Sequence, residues 1–270
     1  MPPPNIAPTL PIGGPPHTMT AQQTPQPAES VQASLPVLYR RPELLTNERH
    51  ANKSLAPNLD HRFAEATNAV PLNGIELELA QRHYPIVFSE EAAPFPMAIL
   101  GLRGAENLFV GRAGVWDEMV YVPAYVRRYP FIFMTGADLK QFALCIDAAS
   151  PHLVDGDGNP FFRDGQPTEL TRNALAFCAS FQAEHDKTRA FAAALAEHEL
   201  LAPRGAEVDL GDGQKLRFGP FRVVDGAKLN ALPNAVIADW QRRGWLAWIH
   251  AHMMSAANWS MLAGRSKAPA

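Results

Sequence analysis

Between Trp116 and Phe133 the chain reads WDEMVYVPAYVRRYPFIF, its densest aromatic stretch. Two prolines dictate where the backbone here can be helical. VYV, at 120–122, joins β-branched and aromatic residues and predicts a short strand. Pro123 suits a first helical position, because its φ is preset and its missing N–H would have had no partner there. Ala124 to Arg128 then predict a turn or two of helix. Pro130 pushes Tyr129 out of the helical region and stops that helix. PFIF restarts as an apolar strand. A strand, a helix and a strand in so few residues predict a compact corner in the interior, with the rest of the chain arranged around it.

Composition narrows the classes. A hydrophobic fraction of 47% over 270 residues is enough to build a core. The formal charge of −3 gives no general pull toward nucleic acid or anionic lipid. No apolar run reaches the roughly 18 residues of a spanning helix; PMAILGL is too short and 244–262 is interrupted by His, Ser and Asn. Residues 1–28 hold no Lys, Arg, Asp or Glu, and prolines break every apolar run, so no signal peptide is expected. The expected compartment is therefore the cytoplasm, with surface association as the alternative. Cys145 and Cys178 sit in apolar text and are expected as buried free thiols; a disulfide between them is the other reading.

Nine of the 25 prolines fall before residue 30, so residues 1–35 are expected as a disordered tail. Met19 is an alternative start to Met1. LPVLY, at 35–39, predicts a strand, and 41–66 mostly loop. Asn73 predicts a helix cap, with Ile75, Leu79 and Ala80 as the buried stripe. Pro85 ends that helix and Ile86–Phe88 follows as a strand. PMAILGL and NLFVG predict a pair of adjacent strands turned at 103–106, TGADL a turn, QFALCID a strand, and HLVDGDGNPFFR a hairpin. From Thr168 or Thr171 a helical stripe of Ala174, Phe177, Cys178, Phe181, Phe191 and Leu195 predicts one long helix, or two broken near 186–188. A second hairpin turns at Gly-Asp-Gly. Asp225 caps a short helix, Gly244 closes another from Pro233, and a last helix presents Trp245, Trp248, Ile249, His252, Met253 and Ala256 on one face. The sum is an α+β fold: a mostly antiparallel sheet built from hairpins, helices packed on it, and a C-terminal helical segment. It is read as one domain over 36–264, with 265–270 disordered.

The chemical motifs are weak. His250 and His252 lie two apart on a helix and point roughly 200° apart, so they cannot share an ion. DGDGN from Asp155 fails as a calcium loop, since its sixth and twelfth positions are Pro160 and Gln166. No phosphate loop or nucleophile elbow occurs. No catalytic residue, metal site or cofactor is expected. The corner supplies the one candidate ligand site: Trp116, Tyr121, Tyr125, Arg127 and Arg128. An arginine beside aromatic rings can grip an anion while its plane stacks. The bland alternative makes the aromatics core and pairs the arginines with Asp117, Glu118 or Asp147.

GLRGAENLFV, the corner segment, FALCID and LNAL followed by GWLAWIHAHMMSAANWSML together resemble the SapC family of bacterial proteins. YVPAYVRRYPF is the most specific part, and the likeness covers nearly all of the chain beyond the tail. The resemblance implies a single domain from a Gram-negative bacterium, associated with a surface-layer gene cluster. It also implies occurrence beside outer-membrane receptor genes and flavin-dependent halogenase-like genes. It carries over no catalytic residue. The expected function is a soluble, non-catalytic binding or accessory protein of surface-layer or outer-membrane uptake systems, with a protein or peptide ligand and no nucleic acid. A second reading is an enzyme, or an enzyme's partner, acting on a peptide or amino-acid side chain at 116–133. A third is a homo-oligomer joined through the Trp-rich last helix.

Overall fold

The computed structural model describes residues 35–135, 142–156, 158–211 and 214–267. The expected tail up to residue 34, the body of the expected TGADL turn, and residues 268–270 lie outside them. The fold is α+β, and the strands described here pair antiparallel throughout.

The largest sheet runs in the order Leu201–Gly211, Gln214–Val224, Ile86–Phe88, Pro96–Ile99, Ala69–Pro71. Its first two strands are the hairpin expected around Gly-Asp-Gly. Pro96–Ile99 pairs on both sides, with Ala69–Pro71 and Ile86–Phe88. That occupies both of its hydrogen-bonding edges, so NLFVG is not its partner strand. Val110 instead makes a single bridge to Trp116. A second sheet orders Pro42–Leu44, Phe142–Asp147 and Phe131–Thr135. In the third, Lys53–Leu55 lies between Leu153–Asp155 and Asn159–Pro160. The expected HLVDGDGNPFFR hairpin is therefore split by a strand about a hundred residues earlier in the chain.

The long helix Glu169–Glu197 is unbroken. Thr168 occupies its N-cap in extended geometry, and Glu169 in the first turn complements the helix dipole. Near the suspected break, the Thr188 hydroxyl donates to the Glu184 carbonyl (2.6 Å) and accepts from the Gly74 N–H (2.8 Å). The helix reaches all three apolar clusters, through Cys178, Phe181, and Phe191 with Leu195. From Leu35 onward the chain is one compact unit.

The C-terminal helical segment has a one-turn 3-10 break at Ser255–Ala257, between helices Trp245–Met254 and Asn258–Lys267. The last helix thus extends beyond residue 264, where the sequence reading closes the domain. Trp245, Ile249 and His252 are buried as expected, but Met253 and Ala256 face outward. The tryptophans pack inside: Trp245 and Trp248 both make edge contacts to Phe191, at 5.7 and 5.3 Å between ring centroids. No helix among the described residues is long and apolar enough to cross a membrane.

Two local expectations are corrected. Leu35–Tyr39 is a turn, with Tyr39 N–H donating to the Pro36 carbonyl (3.1 Å). Val120–Val122 is not a strand, because side chains take its carbonyls. Tyr84 donates to the carbonyl of Tyr121, and Arg127 Nε to that of Val122 (3.0 Å). Ala124–Arg127 is the short helix expected, and Phe131–Thr135 the strand. Phe131 and Ile132 point to different apolar clusters, as alternation along a strand requires.

Candidate functional site

Glu76 supplies the carboxylate half of a capping box with Asn73 at the start of the turn Gly74–Glu76, which leads into helix Leu77–Ala80, while the Glu76 N–H donates to the Asn73 backbone carbonyl (2.9 Å). The box places the Glu76 carboxylate inside the protein, 4% exposed. Glu76 Oε2 accepts from the Asn73 N–H (2.9 Å). Oε1 accepts from the Ala124 N–H (2.7 Å) and from the Tyr121 hydroxyl (2.9 Å). Three donors on one buried carboxylate bolt the short corner helix to this turn. Burial raises the pKa of Glu76, against the pull of those hydrogen bonds. The Tyr121 phenol is pushed up to about 12, by burial first and then by the neighbouring Glu76.

Tyr121 hands this order outward to Arg127, which is exposed. Arg127 Nη2 donates to the Tyr121 hydroxyl (3.2 Å) while Nε holds the Val122 carbonyl. Its guanidinium lies over the rings of Tyr121 (5.7 Å) and Phe177 (5.5 Å). Nη1 has no hydrogen-bond partner and the group no ion pair among the described residues. Nearby acids are engaged elsewhere: Glu184 pairs with Lys187 (2.6 Å), and Glu76 has its three donors.

Arg127 stands in a groove of about 310 Å³ between the Asn73–Ala80 segment, the corner and the long helix. Ile75 and Leu79 form its apolar wall, with Phe177 opposite. These two were expected in the core stripe, yet they are 60% and 47% exposed. Ala80 is buried as expected, and Leu77 and Tyr84 are buried in place of the other two. The segment is a 3-10 turn followed by one helical turn, so a stripe extrapolated at pure α-helical spacing picks the wrong side.

The five sequence-picked residues do not form one pocket. Tyr121 and Arg127 share the groove. Trp116 is core: it is 3% exposed, stacks near Phe109, and donates its indole N–H to the Tyr84 hydroxyl (3.2 Å). Arg128 turns inward, its guanidinium 4.3 Å from the ring centroids of both Tyr125 and Phe181, with Tyr39 at 5.4 Å. Tyr125 also lines a wider cleft of about 890 Å³ on the other flank of the long helix, beside Phe95 and His185. That cleft is larger, but neither corner arginine lines it. The acids expected to neutralise the arginines are occupied: Asp117 by Arg265 (2.7 Å), and Asp147 by the Tyr129 hydroxyl (3.2 Å) and the Arg41 N–H (2.7 Å). Glu118 forms no ion pair among the described residues.

Sequence reasoning missed Glu76, Phe177 and the outward turn of Ile75 and Leu79. The N-x-x-E spacing from Asn73 was the available signal for Glu76. Both cysteines are free and buried, and burial pushes the Cys178 thiol up to about 11. Among the described residues no group of three or more His, Cys, Asp or Glu is placed to hold a metal.

The family model described as SapC matches residues 45–262, which take in the groove, the corner and the long helix. No curated protein and no solved structure matches the chain. With most of its length covered by that one model, the chain belongs to the SapC family.

Proposed function

We propose that this chain is a non-catalytic binding or accessory protein of surface-layer or outer-membrane uptake systems, and that it holds a protein or peptide ligand at the Arg127 groove. One observation carries the reading. Arg127 is an exposed guanidinium, fixed by two hydrogen bonds and two rings, with no carboxylate at ion-pair distance among the described residues; Glu76 acts on it through space and through the Tyr121 hydroxyl. A cation immobilised in advance binds an incoming anion without the ordering cost of a free side chain. Beside it, Ile75 and Leu79 leave apolar surface uncovered in the same groove. The neighbouring ionisable groups serve this geometry: Glu76 accepts from three donors, and Tyr121 holds its proton far above neutral pH.

The test is recovery of partners from the native cell-envelope fraction with wild-type, Arg127→Ala and Arg242→Ala protein. Arg242 lies on a separate helix and pairs with Asp239. The expected result is a specific partner retained by wild type and Arg242→Ala, and recovered at least roughly tenfold less by Arg127→Ala, as for a central anchor. Equal recovery by all three overturns the assignment of the groove.

A further inference from the structure

We infer that the groove takes the C-terminal carboxylate of a peptide whose last side chain is aliphatic; this rests on the groove being the binding site. The charge favours a monoanion. Arg127 is the one cation lining the groove among the described residues, and the two lining acids are already held, Glu76 by three donors and Glu184 by Lys187, so one guanidinium matches one carboxylate and leaves the second charge of a phosphate dianion without a lining cation. The shape favours a chain terminus over an acidic side chain. In a terminal residue, the carboxylate and the side chain branch from the same carbon. One can reach Arg127 while the other lies on Ile75 and Leu79. The carboxylate of an internal Asp or Glu carries no apolar branch to cover that wall. Ser180, exposed on the long helix and lining the groove, offers an acceptor for the terminal N–H, which a fatty acid would leave unused. The volume, about 310 Å³, lies at the small end of ligand pockets (roughly 300–1,000 Å³) and suits one or two residues rather than a long segment.

Methyl NMR titrations of the full chain with Gly-Gly-Leu, its C-terminal amide and octanoate test this, in wild type and in Arg127→Gln. The expected result is that Gly-Gly-Leu shifts the Ile75 and Leu79 methyls in wild type. The amide, octanoate and the Arg127→Gln protein should each bind at least tenfold more weakly, with core methyls of Arg127→Gln unchanged. Acid and amide binding alike, with Arg127→Gln weakening both, overturns the terminus and leaves the groove as a site. Octanoate binding tighter than the peptide overturns the peptide source. No shift of either methyl with any probe overturns the inference; the site reading itself falls only if envelope recovery is also indifferent to Arg127.

Discussion

Glu76 holds its environment together through ordinary chemistry in an unusual place. Its folded-state pKa is raised above the ordinary 4.5, first by burial. The folded protein therefore holds this proton more tightly than the unfolded chain. The stabilisation linked to it is complete below pH 4.5 and disappears as pH rises through the raised pKa. In urea unfolding from pH 4 to 7.5, the stability of wild type relative to Glu76→Gln is expected to fall as pH rises, by at most about 1.4 kcal/mol per unit. A difference that grows with pH contradicts this. Glu76→Gln is also expected to destabilise throughout, because glutamine has one acceptor oxygen for three donors. Arg127 and Arg128 show why adjacent residues of one type need not share a role. On a single helical turn, neighbours point about 100° apart. One therefore reaches the groove while the other is caged between Tyr125 and Phe181. Sequence supplied the residue types for both but not the rings, since Phe177 and Phe181 come from about fifty residues away.

At the scale of elements, the long helix is the spine, and the turn at Gly74 shows how closely the chain fits around it. The Gly74 N–H bonds Thr188, and its Cα faces the ring of Trp248, so that an added Cβ would fall inside the indole. Gly74→Ala is expected to destabilise by roughly 1–3 kcal/mol, as overpacking of a filled core does, read as a lower urea midpoint. An unchanged midpoint would show that Trp248 yields freely and that the turn is loosely held. Elements bounded by local chemistry were legible. Asp225 accepts from the N–H groups of Ala227 and Lys228, Gly244 closes its helix at φ 75°, and Thr168 starts the long one. Strand partners were not. PMAILGL with NLFVG, and HLVDGDGNPFFR, look like hairpins because their sequence is locally right. Their neighbours are settled by distant strands such as Lys53–Leu55, and no local pattern records that choice.

For the whole molecule, the α+β class was legible because hairpin turns and a 29-residue helical stripe survive any detail of pairing. The interior position of the corner was legible too, from its aromatic density. The groove was not, because it forms where three distant segments meet, and its wall is a turn whose buried side only packing decides. Arg127 reaches the groove because the corner is rigid interior structure that presents it at its rim. Native-state hydrogen exchange of the Asn73 and Ala124 amides, the two that donate to Glu76, tests this most directly. Both are expected to exchange only through global unfolding, with the same free energy as the Ile99 amide of the internal strand Pro96–Ile99. Exchange of either at the rate of an open loop, while Ile99 stays protected, would contradict the account.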